Sequence, residues 1–415
     1  MTMSRRNTRE PRSVAGDFRS FRSCVRETAR SRAIGLDVEG LEPLARMEYR
    51  AERALKDEAL RLFWASHKLS GVPESVIPSP LARGYRTTTK RRVLLDSGSP
   101  RLGFDDDRHR RHPAAMKMSE LEPSAHAEMY DRIAELIRQR PFSSAAAGLN
   151  YVIIRGTLRE RVLILNAHTL DANRIRRLTE LADCLRERVI SAFVFFDPTR
   201  SPYYLETADS ANRFRVKRLF GPDHFRLRLE GLTYYIAPTV FSQVNESILP
   251  ALLRAAGDVL ADNGRRLLDF FCGYGLFSFF LGAKYRETIG IDASREAIRS
   301  ALRTRSESQP AARLTFRELS IHRENLDAVL PMPGASVSED VILDPPRHGV
   351  GSATIRSIAR RRPRRVLHVF CAVDEIPAAL AQWRRNGYKA MRMIPLDMFA
   401  GTPGLEILVA LAPAS

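Results

Sequence analysis

The chain has 415 residues, more than one compact core usually needs, which predicts two or more domains. Lysine and arginine number 66 against 48 acidic residues, and the formal net charge of +18 favours a polyanionic partner, a nucleic acid before an anionic membrane. An arginine-rich genome is the alternative source of this excess. The four cysteines include no CxxC pair, which argues against a disulfide framework and against an intact zinc or iron–sulfur site.

The first 40 residues are basic and rich in serine, and we expect them to form a disordered arm. They begin with MTMSRRNTREPRS, which lacks the apolar segment of a secretory signal. No apolar run in the sequence approaches the ~20 residues that a membrane span requires. The expected location is therefore the cytoplasm, a reducing compartment, with no membrane association.

Residues 41–235 are predicted to form a smaller α+β region. Leu44–His67 lacks glycine and proline and is rich in good helix formers, so it predicts one long helix. A basic stretch with strand character, Arg83–Arg92, follows a proline-rich turn, and the charged stretch Asp105–His112 predicts a loop. From Ser124 onwards, helical segments alternate with apolar strands such as YVIIRGTL and RVLILNAH, a pattern typical of an α+β domain.

Residues 236–415 alternate short apolar strands with helices. Repeated strand–helix units predict a parallel, doubly wound α/β sheet that binds its ligands at the carboxyl ends of the strands. The predicted strands are Leu267–Phe271, Thr288–Asp292, Leu314–Leu319, Asp340–Asp344, Val366–Cys371, Ala390–Pro395 and Leu405–Ala412.

The first of these strands leads into a glycine turn in the stretch LLDFFCGYG. The strand contains Asp269, the turn contains Gly273 and Gly275, and the second strand ends in Asp292. Glycine lets the backbone approach a ligand closely, and an acid at the end of the second strand can accept both hydroxyls of a ribose. A dinucleotide-binding oxidoreductase is the alternative, but Ser278 stands where that fingerprint has its third glycine. This favours S-adenosylmethionine, which has no phosphate.

The fourth and fifth strands end in residues that suggest chemistry. Asp344 precedes two prolines, which fix the loop above the ligand. Many amino-group methyltransferases have an aromatic residue where this chain has Arg347, which argues against methylation of a nitrogen. The fifth strand ends in Cys371, whose thiol would face the same edge of the sheet. A buried core cysteine is the alternative interpretation.

Together these motifs resemble the RNA (uracil-C5-)-methyltransferase family, whose members act on the tRNA T-loop and on 23S ribosomal RNA. The matching motifs are FSQVN (Phe241–Asn245), DFFCGYG, GIDAS, DPPRHG, the strand cysteine, NGY (Asn386–Tyr388) and LDMFAGTPGLE (Leu396–Glu406), with SPLARGYR (Ser79–Arg86) as a weaker match upstream. The resemblance implies a Rossmann-like class I methyltransferase domain over residues 236–415 and an RNA-binding region over residues 41–235. It also implies S-adenosylmethionine as the methyl donor and tRNA or ribosomal RNA as the partner. No obligate protein partner is inferred.

The resemblance also implies roles for individual residues. Cys371 would add to C6 of the target uracil, and Glu406 would remove the proton from C5. The donor pocket would include Gln243, Phe271, Gly273, Asp292 and Asp344. The expected RNA contacts are Tyr85, Arg86 and Arg347, with Tyr85 and Phe220 as the aromatic residues that stack on an unpaired base.

The sequence departs from the family at several positions. Residues 39–42 (Glu-Gly-Leu-Glu) fall where many members have the cysteines of an iron–sulfur cluster, so no cluster and no other metal is expected. Ala372 and Val373 replace the polar residue and the proline that usually follow the nucleophile. Two alternatives therefore stay open: a catalytically impaired RNA-binding protein on the same fold, and a methyltransferase with another target.

Overall fold

The computed structural model describes most of the chain. The described residues are 19–36, 42–104, 119–200, 215–260, 264–310, 313–321, 326, 330, 332–333, 337–347 and 349–414. The strands in these ranges are β1 (Thr89–Asp96), β2 (Ser99–Gly103), β3 (Leu149–Gly156), β4 (Arg161–Ala167), β5 (Ser191–Phe196), β6 (Arg215–Phe220), β7 (Phe225–Leu229), β8 (Leu232–Ile236), β9 (Arg266–Phe270), β10 (Glu287–Asp292), β11 (Arg313–Glu318), β12 (Glu339–Leu343), β13 (Arg365–Phe370), β14 (Tyr388–Leu396) and β15 (Glu406–Pro413). The helices are α1 (Phe21–Ser31), α2 (Tyr49–Ser66), α3 (Ser124–Leu136), α4 (Arg140–Ala146), α5 (Ala172–Asp183), α6 (Leu249–Leu260), α7 (Leu276–Gly282), α8 (Arg295–Ser308), α9 (Ser352–Arg360) and α10 (Ile376–Arg385).

The C-terminal sheet has seven strands in the order β11-β10-β9-β12-β13-β15-β14. Strands β9 to β13 are parallel to one another, whereas β15 is antiparallel to both of its neighbours, β13 and β14. The strands from β9 to β13 read as short apolar runs because helices cover both faces of the sheet. The predicted doubly wound sheet is therefore confirmed for five strands, and the two C-terminal strands run in mixed directions.

An N-terminal helical layer covers one face of this sheet. Helix α2 begins at Tyr49 because the Glu48 carboxylate accepts hydrogen bonds from the backbone N–H groups of Arg50 and Ala51. Its apolar face, which includes Leu55 and Phe63, shares one hydrophobic core with strands β9, β12 and β13. The long helix predicted from Leu44 therefore starts five residues later, because residues 42–47 form turns.

Helix α1 packs on this layer, so the disordered arm predicted for residues 1–40 is wrong for residues 19–36. Phe21 stacks edge-on against Phe63 with the ring centroids 6.0 Å apart, and its backbone N–H donates to Asp374 at 2.7 Å. The helix buries an apolar stripe that also includes Cys24 and Val25. Residues 1–18 lie outside the described residues.

The central sheet has six strands in the order β2-β1-β3-β4-β5-β6, with β4 and β5 parallel and the other pairs antiparallel. Helices α3, α4 and α5 pack on one face of it. The other face shares a core with the β7–β8 hairpin and with helix α6, which joins the central sheet to the C-terminal domain. The α+β character predicted for this region is present, but residues 42–77 pack on the C-terminal sheet instead. None of the helices in the described ranges combines the length and the apolar composition that a membrane span needs.

Candidate active site at the carboxyl edge of the C-terminal sheet

The strand directions bring the predicted site residues to one edge of the sheet. The parallel strands β9, β10, β12 and β13 all end there, and the antiparallel strand β15 begins there. Phe370 pairs with Ile407, so Cys371, which follows β13, lies beside Glu406, the first residue of β15. The sulfur and the carboxylate predicted to act together are therefore neighbours, although 35 positions separate them in the sequence.

The loop after β9 has a conformation that leaves room for a ligand. Phe271 has a φ of 62°, which is strained for a residue with a side chain, and such strain concentrates at functional sites. Gly273 has a φ of 54°, and a Cβ built on it would meet nothing within 4 Å. Helix α7 follows directly, because Gly275 with a φ of 88° ends the turn. Gly273 therefore presents bare backbone to open space.

Asp292 closes this loop from the neighbouring strand. Its carboxylate accepts hydrogen bonds from the backbone N–H groups of Gly273 at 2.9 Å and of Ser294 at 2.8 Å. Burial raises its pKa above the ordinary value, and these hydrogen bonds oppose the rise. The side chain is half-buried, so an oxygen can still reach a ligand hydroxyl.

Asp269 is a buried acid that the sequence analysis left out of the site. It is fully buried in β9, one oxygen accepts a 2.5 Å hydrogen bond from the Ser278 hydroxyl, and the other has no partner among the described residues. Burial raises its pKa to about 7, and the nearby Asp344 adds to the rise. Its place one residue before the end of the strand that leads to the glycine turn was the signal that could have identified it.

Asp344 and Gln243 meet across the edge. The Gln243 amide lies 3.4 Å from the Asp344 carboxylate. Burial raises the pKa of Asp344 to about 7, Asp292 adds to the rise, and the bond from Gln243 opposes it. The chain around Gln243 is held by the buried Arg155, which donates to Pro238 O, Val240 O and Ser242 Oγ at 2.7–2.8 Å. Within this segment Phe241 leaves 55% of its surface exposed.

The Cys371 and Glu406 side chains have unusual electrostatics. Burial raises the pKa of the half-buried Cys371 thiol to about 12, with Glu406 and Asp344 adding to the rise and Arg347 opposing it. Burial also raises the pKa of Glu406 to about 8, with Asp344 adding and Arg347 opposing. Glu406 is 1% exposed, and neither carboxylate oxygen has a hydrogen-bond partner in the described part of the chain. Groups with such shifted pKa values cluster at functional sites.

The structure separates the residues expected to contact RNA. Arg347 is exposed and Arg86 is half-buried. The expectation that Tyr85 stacks on a base is wrong, because Tyr85 is 1% exposed and its hydroxyl donates to Ala400 O at 2.8 Å. Phe220 is also buried and lies under Arg186, so it does not present a free face. These two aromatic residues belong to the packing of the fold.

An arginine-lined cavity lies beside the segment that carries Gln243. It measures about 170 Å³ and is lined by Thr157, Arg159, Glu160, Arg226, Arg228 and Glu246. Arg226 is paired with Glu160, whereas Glu246 accepts from the backbone N–H of Leu158. Arg159 and Arg228 are exposed at its rim. Glu246 is three positions after Gln243, so at most about 11 Å of chain joins the cavity to the site.

These features define a class of protein. A helix-covered parallel sheet that ends in an antiparallel pair, with a glycine turn after one strand and an acid after the next, is the Rossmann-like methyltransferase fold. The crystal structure of Pyrococcus abyssi tRNA (uracil-54, C5)-methyltransferase in complex with S-adenosyl-L-homocysteine has the same fold. It superposes with a TM-score of 0.69 at 19% identity and covers 89% of this chain and 85% of that one. The expected fold class is confirmed.

Sequence comparison finds the family that the motifs resemble. Residues 210–413 match the tRNA (uracil-5-)-methyltransferase family, which confirms the resemblance predicted from the motifs. An uncharacterized RNA methyltransferase of Streptomyces avermitilis is 28% identical over 204 residues, 48% of this chain and 45% of the relative. The 23S rRNA (uracil(747)-C(5))-methyltransferase of Pyrococcus abyssi is 28% identical over 232 residues, 54% of this chain and 52% of the relative. The match thus spans about half the length of these curated relatives.

Proposed function

We propose that this protein methylates C5 of a uridine in structured RNA, with S-adenosylmethionine as the donor and a transient bond from Cys371 to C6. The observation that carries the proposal is the placement of Cys371 beside Glu406 at the carboxyl edge of the sheet. The family match and the donor product bound to the Pyrococcus abyssi tRNA enzyme support it.

The edge residues fit the donor. Gly273 offers open space against its backbone, and Asp292 stands where a ribose would meet two acceptor oxygens. Asp269 is buried behind the glycine turn and supports it, because its carboxylate accepts a hydrogen bond from Ser278 in helix α7. Phe271 and Gln243 complete the pocket from the loop and from the opposite segment. The donor, when bound, supplies a methyl group on a positively charged sulfur.

Cys371 would start the reaction. Uracil C5 is a poor nucleophile, and addition of the Cys371 thiolate to C6 moves the electrons of the C5–C6 double bond towards C5 and O4. C5 then forms a bond to the methyl carbon as the carbon–sulfur bond of the donor breaks. With a pKa of about 12 the thiol is mostly protonated at neutral pH, so the nearby positive charges must favour the thiolate. Arg347 provides one such charge in this chain.

Glu406 would complete the reaction by removing the proton from C5. After methyl transfer, C5 carries both the methyl group and its original hydrogen. The Glu406 carboxylate takes that proton, the C5–C6 double bond re-forms, and the Cys371 thiolate leaves C6. A pKa of about 8 suits a general base, because the carboxylate is basic enough to accept the proton and is still partly ionised at neutral pH.

RNA would approach over Phe241, Arg347 and the arginine-lined cavity. The exposed Phe241 ring can stack on a base that has left its helix, and Arg347 can contact phosphate or base beside Cys371. Arg159 and Arg228 can neutralise phosphates near the target nucleotide, since the cavity lies within about 11 Å of chain from Gln243. Arg86 stays a proposed contact at the margin of this surface.

The high pKa of Cys371, together with Ala372 and Val373 in the positions after it, favours a second candidate, an RNA-binding protein without catalytic activity. One experiment separates the two. The protein is incubated with methyl-labelled donor and either unmodified tRNA or unmodified ribosomal RNA, and the nucleosides are analysed by mass spectrometry. Labelled 5-methyluridine supports the proposal. RNA binding with no labelled nucleoside would establish the second candidate, and a label on another nucleoside would reject both.

A further inference from the structure

The position of Glu406 depends on the loop that precedes it. Residues 397–405 connect β14 to β15, and Leu396 pairs with Glu406 across this connection. Because no described residue forms a hydrogen bond with the Glu406 carboxylate, only the backbone and the surrounding packing fix where that carboxylate lies. Anything that holds the 397–405 loop therefore also sets the geometry of the proposed base.

The 397–405 loop is held along its length by residues distant in the sequence. Most of these contacts come from residues 44–85, and one comes from Asn245 in the segment that carries Gln243. The hydrogen bonds to the loop backbone are Leu44 N to Gly401 O at 3.1 Å, Gly401 N to Glu52 Oε1 at 2.6 Å, Lys56 Nζ to Phe399 O at 3.4 Å, Tyr85 Oη to Ala400 O at 2.8 Å, Asn245 Nδ2 to Met398 O at 3.2 Å and Asp397 N to Ile77 O at 3.0 Å. Residues 397–401 of the loop are thus each held by a hydrogen bond from another part of the chain, and for all but Met398 the partner lies in residues 44–85.

A buried ionic cluster sits at the centre of these contacts. Lys56 lies 2.8 Å from Glu52 and 2.6 Å from Asp397, and all three side chains are fully buried. Arg83 pairs with Glu52 at 2.9 Å and also donates to Ala45 O. Two positive and two negative charges balance in the interior, where an unpaired charge would be strongly unfavourable. The cluster fixes Asp397, the first residue of the 397–405 loop, against helix α2.

We propose that Lys56 and Tyr85 are positioning residues that hold the 397–405 loop so that Glu406 faces the nucleotide bound to Cys371. They touch neither RNA nor donor. Their loss impairs the last step, proton removal from C5 and release of the Cys371 thiolate, more than it impairs addition or methyl transfer. This inference rests on the proposed function, since it assigns Glu406 the role of base.

The cleanest test replaces Tyr85 with phenylalanine, which removes one hydroxyl and no charge. Tyr388→Phe is the matched control, because the Tyr388 hydroxyl is also buried and also donates to a backbone carbonyl, Pro363 O, at 2.8 Å. Tyr388 lies at the far end of β14, paired with Pro413 and not with the site. Both variants lose one hydrogen bond from a hydroxyl to a backbone carbonyl, but only Tyr85→Phe loses a bond to the 397–405 loop.

The readout is the fate of the RNA–protein adduct with natural uridine RNA. Tyr85→Phe is expected to lower turnover on the order of 10-fold, with an unchanged KM for RNA and with methylated adduct accumulating on the protein. Its pH profile should also differ from that of the wild-type protein, because the base is displaced. Tyr388→Phe should turn over at the wild-type rate and should not accumulate adduct. Equal behaviour of the two variants, or slower adduct formation in Tyr85→Phe, would overturn the inference.

A second pair probes the ionic cluster. Lys56→Met should give the same accumulation of adduct, whereas Arg361→Met, which breaks the buried Arg361–Glu339 pair at the opposite edge, should not. If Lys56→Met does not fold, the tyrosine pair decides alone. If the wild-type protein yields neither adduct nor 5-methyluridine, the proposed function fails. If it yields both and the Tyr85→Phe protein matches the control, only the positioning role fails.

Discussion

Most buried charges at the amino edge of the C-terminal sheet are in ion pairs, whereas three acids at its carboxyl edge, Asp269, Asp344 and Glu406, have no cationic partner among the described residues. At the amino edge, Arg266 contacts both Glu287 and Glu339 at 2.8 and 3.0 Å. Arg361 also reaches Glu339, and Asp340 accepts from Arg364 at 2.6 Å and from a tyrosine hydroxyl. At the carboxyl edge, Asp344 instead lies near enough to Asp269 and Glu406 to raise the pKa of both.

The carboxyl edge holds these acids at a free-energy cost. Burial raises the pKa values of Asp269 and Asp344 to about 7 and that of Glu406 to about 8. No arginine or lysine pairs with these three acids among the described contacts. Shifted pKa values of this kind concentrate at functional sites, so the contrast between the two edges agrees with the proposed site at the carboxyl edge.

The largest effect should come from removing the sulfur at the carboxyl edge. Cys371→Ala is expected to lower methylation on the order of 10⁴-fold or more and to abolish the covalent complex with 5-fluorouridine RNA, measured as a band shift in denaturing gels. Cys184→Ala is the control, because Cys184 is exposed on the central domain. A normal complex in Cys371→Ala would show that another nucleophile acts.

Removing the Glu406 carboxylate should have the second-largest effect. Glu406→Gln is expected to lower turnover about 10²–10⁴-fold while adduct formation persists, because only the removal of the C5 proton loses its base. Single-turnover assays with labelled donor would separate the two steps. A variant that turns over normally would place the base elsewhere.

The same variant tests how much the ionised Glu406 carboxylate destabilises the folded protein. A carboxyl whose pKa is raised by folding stabilises the folded state at low pH, and this contribution is lost as pH rises through the raised value. Wild-type stability should therefore fall between about pH 5 and pH 9. The stability of the Glu406→Gln variant should fall less over this pH range. At pH 9 the variant should unfold at a temperature a few degrees higher than the wild type, measured by thermal denaturation. No change in this pH dependence would contradict the raised pKa.

The amino edge should respond in the opposite way. Arg361→Met leaves Glu339 with one fewer partner in a buried position and is expected to lower the free energy of unfolding by about 3–5 kcal/mol. The turnover of the folded fraction should stay at the wild-type value. Denaturant titration would measure the free energy of unfolding, and activity per folded molecule would measure the turnover. A loss of turnover in fully folded protein would contradict a purely structural role for the amino edge.

The smallest effect concerns the arginine-lined cavity, which lies beside the site and outside the sheet. Arg228→Gln is expected to weaken RNA binding a few-fold and to reduce the slope of log K against log salt by about 1, because one phosphate contact is lost. Arg176→Gln, an exposed change of the same charge on α5, should leave the slope unchanged. Equal slopes in both variants would show that RNA does not use the cavity.

Local pattern was enough to locate the elements of the C-terminal domain. The strand predicted at Val366–Cys371 is observed at Arg365–Phe370, and that predicted at Thr288–Asp292 at Glu287–Asp292. Buried parallel strands are short apolar runs that polar residues terminate, and this signal is carried by neighbouring residues alone. The glycine turn and the acids that follow the strands could be identified for the same reason.

The sequence by itself determined the fold class, the resemblance to the family and most of the residues at the carboxyl edge, because short contiguous motifs encode them. Only the tertiary structure decided that Tyr85 is buried against Ala400 and where the N-terminal helices pack. Lys56 and Asp397 form an ion pair across 341 positions, and no local pattern records such a partner. The raised pKa values of the acids have the same origin, since burial depends on every segment that folds over them.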